Sequence, residues 1–139
     1  MRAHYALLAI SVFVCFTGVA FADGSDTTPP TIVALGPSPN PIWPPNHKIV
    51  SVTINALVTD DTDPAPFVHV IGVTSTDPNV TSADWEITGD LSLNVRADKT
   101  GNDERVYTVY VEAVDANGNT SVATTSVTIG HTTGHQVPF

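Results

Sequence analysis

The sequence is poor in the residues that most often carry chemistry or covalent stability. It has one cysteine, Cys15, one methionine, and only five Lys and Arg together. A single thiol cannot close a disulfide within the chain. The scarcity of bases speaks against a nucleic-acid role. Fourteen Asp and Glu give a formal net charge of −9, which repels a phosphate backbone. No nucleophile elbow, zinc-ligand helix or phosphate loop occurs, so no motif signals an enzyme. Helical periodicity is missing as well.

What is present starts at the amino terminus. Arg2 precedes an almost unbroken apolar run over residues 5–21, and Ala20-Phe21-Ala22 forms a small-x-small cleavage signal before Asp23. That is the three-part plan of a secretory signal peptide. The run is short for a bilayer span, which needs about 20 apolar residues. Val14 before Cys15 does not fit a lipoprotein start. Cleavage after Ala22 is expected, leaving a secreted protein (extracellular, cell-surface or periplasmic) with no transmembrane segment in the mature chain. The remaining residues suffice for one domain with a real core.

Residues 23–30 (DGSDTTPP) read as a linker, residues 31–130 as the domain and residues 131–139 as a flexible tail. Within the domain, apolar and polar residues alternate with period 2. Residues 31–35 form a short first strand. Residues 36–46 carry five prolines and exclude a central strand or a helix. Val50, Val52, Ile54, Ala56 and Val58 share the inner face of the second strand. The third strand runs over 67–76, with Phe67, His69, Ile71 and Val73 on one face. A short fourth covers 84–87. The fifth turns Leu91, Leu93, Val95 and Ala97 inward. Tyr107, Val109, Val111 and Ala113 mark the sixth; Ala123, Thr125, Val127 and Ile129 mark the seventh. Asn117-Gly118 supplies the hairpin turn between them. The fold class is therefore an all-β, seven-strand immunoglobulin-like antiparallel β-sandwich. Tyr107 stands where a tyrosine corner would place it, with Asp103 in the upstream partner region.

The blocks IWPPNHK (42–48), DDTDPAP (60–66), DWEITG (84–89) and RVYTVYVEAVDANGNTS (105–121) resemble a bacterial secreted immunoglobulin-like module of the hyalin-repeat-like type. The resemblance runs from about Asp26 to His131, nearly the whole of the expected mature chain. It implies a noncatalytic role in adhesion, binding or structure. Thr62 stands where hyalin-like relatives often have a cysteine.

In such a sandwich the lead-in and the loops after strands two, four and six lie at one end. Asp26, Asp60, Asp61, Asp63, Asp115 and Asn117 should then share one rim, with Asp90 and Asn119 nearby. These are candidate Ca²⁺ ligands, because calcium takes clustered carboxylate, amide and carbonyl oxygens. Asp, Asn and Pro are also ordinary turn formers, so both readings stand at this level. The opposite rim gathers Trp43, Asn46 and His47. They either cap the core and tie the loop, or form a platform for a sugar or other ligand. His131 and His135 belong to the tail. Asp84 and Glu86 fit an edge strand showing acids to water.

The expected function is a noncatalytic extracellular or cell-surface module for adhesion, matrix or assembly, with Ca²⁺ as candidate stabiliser. The alternative is a small carbohydrate- or ligand-binding sandwich using the Trp43 loop. Expected partners are a surface protein or polysaccharide, or a second copy joined by strand addition through the segment after Ala22. Nucleic acid is not expected.

Overall fold

The computed structural model describes residues 25–99, 101 and 103–130. The expected signal peptide and tail lie outside the described residues, and so do His131 and His135. Seven strands follow one another: β1 (Thr31–Ser38), β2 (Ile49–Thr59), β3 (Phe67–Ser75), β4 (Trp85–Gly89), β5 (Ser92–Arg96), β6 (Arg105–Val114) and β7 (Thr120–Ile129). All pairings between strands are antiparallel. One sheet has the order β1-β2-β5-β4 and the other β3-β6-β7. That division is the constant-type immunoglobulin arrangement. Among the described residues no helix is long and apolar enough to cross a membrane.

The alternation in β2, β5, β6 and β7 works as the sequence suggests. Val52 and Ile54 meet Leu93 and Val95 from one sheet, and Tyr107, Val109, Val111, Val127 and Ile129 from the other. Each side chain of this size contributes about 1.5–3 kcal/mol when taken fully out of water. Trp85 is half-buried and packs against this cluster.

Three expectations need correcting. β1 continues through Gly36 and Pro37 to Ser38, pairing Pro37 with Ile54. A proline fits there because β1 is an edge strand. β4 begins at Trp85 and runs to Gly89. In β3 the face assignment inverts. Val70 is buried, whereas Phe67 and Ile71 are exposed and His69 is half-buried. The cause is a bulge between Val70 and Gly72. An extra residue shifts the phase by one, so Val70 and Val73 both point inward. Val73 is the one member of the expected set that faces the core.

β6 is central in its sheet and alternates without a break. Arg105, Tyr107, Val109, Val111, Ala113 and then Asp115 are all buried. The inward stripe thus ends in a cation at one rim and an anion at the other.

Candidate functional site

The acidic rim is assembled from three loops. Asp26 comes from the lead-in to β1, Asp60 from the turn after β2, and Asp115 from the turn after β6. One carboxylate oxygen from each lies within 4.8 Å of the other two. Two oxygens bound to one Ca²⁺ ion, each about 2.4 Å away, can stand at most about 4.8 Å apart. The spacing therefore meets the geometric limit for a shared ion.

The three carboxylates are satisfied unequally. Asp115 Oδ1 accepts the N–H groups of Asn117 (2.9 Å) and Asn119 (2.8 Å), and its Oδ2 accepts Asn119 Nδ2 at 2.7 Å. Burial pushes this carboxyl up, but the donors of Asn119, Asn117 and Gly118 outweigh it and hold it below the usual range. Asp26 Oδ1 accepts the Thr28 N–H, and Asp60 Oδ1 accepts those of Thr62 and Asp63. Among the described residues, Asp26 Oδ2 and Asp60 Oδ2 are buried and receive no hydrogen bond. A buried acceptor without a donor is costly, more so when charged. A cation between these oxygens would remove that cost.

The other expected ligands have different tasks. Asp63 Oδ2 accepts the Ala116 N–H at 2.9 Å and so joins the turns after β2 and β6. Asp61 is exposed and accepts the Thr62 hydroxyl at 3.4 Å. Asn117 is exposed and contributes its backbone N–H to Asp115. Asn119 has the larger role. Its Nδ2 donates to the Asp26 carbonyl as well as to Asp115, tying the lead-in to the domain. Residues 25–30 are therefore docked onto the rim at Asp26.

At the opposite rim, Ile42 enters the core, while Trp43 is 56% exposed. Trp43 therefore does not act as the core's cap. Ile42 does, through a parallel bridge to Ile129. Asn46 Oδ1 accepts the Lys48 N–H, closing a local turn. His47 is exposed with φ at +64°, and its Nδ1 lies 2.9 Å from Asp98 Oδ1. Arg96 donates to the His47 carbonyl and pairs with Asp84 at 2.9 Å. Thr81 donors, opposed by burial and helped by Arg96 and Arg105, hold the Asp84 carboxyl below the usual range.

Beneath this rim lies a charged group the sequence reading missed. Arg105 pairs with Asp77 at 2.7 Å, both side chains being less than a tenth exposed. It also donates to the Tyr107 hydroxyl, which donates in turn to the Arg96 carbonyl. The tyrosine's upstream partner is thus Arg96, not Asp103. Parity was the available signal, since Arg105 is in phase with the inward stripe. Burial opposes the guanidinium's charge, but Tyr107 and Asp77 hold its pKa above the usual value. A cavity of about 260 Å³ between residues 76–79 and 103–105 has Asp77, Asp103 and Glu104 on its walls. Within it Arg105 pairs with Asp77 through one nitrogen, while its buried Nε has no hydrogen-bond partner among the described residues.

The fold and its two unlike rims define an immunoglobulin-type β-sandwich domain. No family model matches the chain, and neither the curated proteins nor the solved structures contain a match.

Proposed function

We propose that the protein is a noncatalytic extracellular or cell-surface module for adhesion, matrix or assembly, and that it binds Ca²⁺ through Asp26, Asp60 and Asp115. The observation that carries the calcium reading is the pair of buried, donor-free oxygens, Asp26 Oδ2 and Asp60 Oδ2, in a three-carboxylate cluster. Hard oxygen ligands without nitrogen or sulfur favour calcium over a transition metal. The lead-in supplies one ligand, so the ion would fix how the chain approaches the domain. Isothermal titration with CaCl₂ tests this. Heat of binding and a raised melting temperature are expected, with both lost in Asp60→Asn. No heat at millimolar calcium would sink the site.

A second reading is ligand binding at Trp43, Asn46 and His47. It is supported by the exposed indole beside a histidine held at positive φ. Such backbone costs of order 1–3 kcal/mol and concentrates at binding sites. The ligand class would be a carbohydrate stacking on the indole face. Polysaccharide that leaves Trp fluorescence unchanged would remove it.

A further inference from the structure

The cavity of about 260 Å³ opens between residues 76–79, which follow β3, and residues 103–105, which lead into β6. It shares no residue with the calcium cluster or with Trp43, Asn46 and His47. Both of its walls are fixed. Asp77 Oδ1 accepts the Asn79 N–H at 2.9 Å and Asn79 Nδ2 at 3.2 Å, and the Asp77 carbonyl accepts the Val80 N–H. Thr76 exchanges two hydrogen bonds with Val106 of β6. Across the cavity the Glu104 side chain lies along Gly130, where a Cβ would stand 2.8 Å from its Cγ. The space is therefore formed before a ligand arrives, as small-molecule sites usually are.

Its floor carries a donor without an acceptor. Arg105 is 6% exposed. Nη2 donates to Asp77 Oδ2 at 2.7 Å, and Nη1 donates to the Tyr107 hydroxyl at 3.2 Å. Nε is buried and has no hydrogen-bond partner among the described residues. In the planar guanidinium fork Nε and Nη2 share one edge. The unused N–H thus lies beside Asp77, which lines the cavity, while Nη1 turns to Tyr107, which does not. A buried charged donor left unsatisfied is costly, so this position favours an oxygen acceptor.

The surroundings narrow the choice of acceptor. Asp77 Oδ2 already occupies the neighbouring nitrogen, so a second carboxylate or a phosphate on Nε would face it at close range. Asp103 and Glu104, both exposed, add two negative charges at the mouth. A metal ion is opposed by the guanidinium itself. The complementary ligand offers an uncharged oxygen to the floor and a cation to the mouth. The volume falls below the range of about 300–1,000 Å³ typical of drug-sized ligands, so it suits a single ring. We propose that this cavity binds an amino sugar, whose hydroxyl accepts a hydrogen bond from Arg105 Nε and whose ammonium is held by Asp103 and Glu104. The sugar is either free or the end unit of a surface polysaccharide.

Nuclear magnetic resonance of the arginine Nε–H groups tests this. Glucosamine, added in mildly acidic buffer with chelator present, is expected to shift the Arg105 signal along a saturating curve. The Arg96 signal should stay in place, because its Nε is held by Asp84 at 2.9 Å. N-acetylglucosamine keeps the hydroxyls but lacks the charge, and should bind at least about tenfold more weakly. Cyclohexylamine keeps the charge but has no hydroxyl, and should leave Arg105 unmoved. The double variant Asp103→Asn, Glu104→Gln should abolish saturation at an unchanged melting temperature, since both residues are exposed. A chitosan oligomer that binds more tightly than glucosamine places the site on polysaccharide ends, and one that binds no tighter assigns it to the free sugar. Trp43→Ala should alter none of these shifts and the chelator removes calcium, so both earlier readings stand or fall separately. An Arg105 signal unmoved by glucosamine, a shift that never saturates, or a double variant that binds like wild type overturns the proposal. So does an equal response to cyclohexylamine.

Discussion

At the scale of single residues, exposure decides which polar contacts matter. His47 and Asp98 form a close pair, but the histidine side chain is 78% exposed. Such pairs contribute about 0–1 kcal/mol, since solvent screens them and ordering the side chains costs entropy. Arg105 and Asp77 are close and buried. Breaking a buried pair strands a charge and costs about 3–5 kcal/mol. Asp77→Ala should therefore lower stability by about that much, while His47→Ala should change it by no more than about 1 kcal/mol. Urea unfolding of the two variants checks the contrast. An Asp77→Ala cost as small as that of His47→Ala would mean that Tyr107 and water alone satisfy the guanidinium.

The elements show where sequence reading succeeds and where it stops. β2, β5, β6 and β7 have one wet and one buried face and keep their phase from end to end, so alternation identifies their inner residues. β3 defeats the same rule because its one mark of a phase slip, Gly72, does not say which neighbour is the extra residue. Ile71 is apolar and β-branched, and only pairing with β6 shows that the residue between Val70 and Gly72 is extra. The acidic rim is half legible. Strand order brings Asp26, Asp60 and Asp115 to one end, but the burial of two oxygens and the commitment of Asp63 to Ala116 depend on loop conformation. The two phases of β3 make opposite predictions. With the bulge, Ile71→Asp places a charge in water and should change stability by about 0.5 kcal/mol or less. Val70→Asp buries an unpaired charge and should cost several kcal/mol or prevent folding. Circular dichroism melts decide between them, and the reverse order would refute the bulge.

For the whole molecule, an acidic domain without covalent cross-links must keep its carboxylates charged where they accept hydrogen bonds. Asp115 and Asp84 both titrate below the usual carboxylate range when folded. Unfolding returns them to about 3.9, so the unfolded chain binds more protons in acid. Their contribution is complete above that value and is lost as pH falls through the lowered folded values. The proposed calcium ion would add a second dependence. An ion that binds only the folded form stabilises it by about 2.7 kcal/mol at a hundred times its dissociation constant. Its ligands must be deprotonated, so that increment must vanish in acid. Melting temperatures from pH 8 to 3, with calcium and with chelator, should form two curves. They are expected to run apart at neutral pH and to merge as the rim carboxylates protonate, where both fall. Curves that coincide throughout would leave the orphaned oxygens of Asp26 and Asp60 without a cation. Asp60→Asn sharpens the same measurement. It should collapse the neutral-pH separation while preserving the acid limb, because Asp115 keeps its donors from Asn117 and Asn119 whether or not an ion is bound.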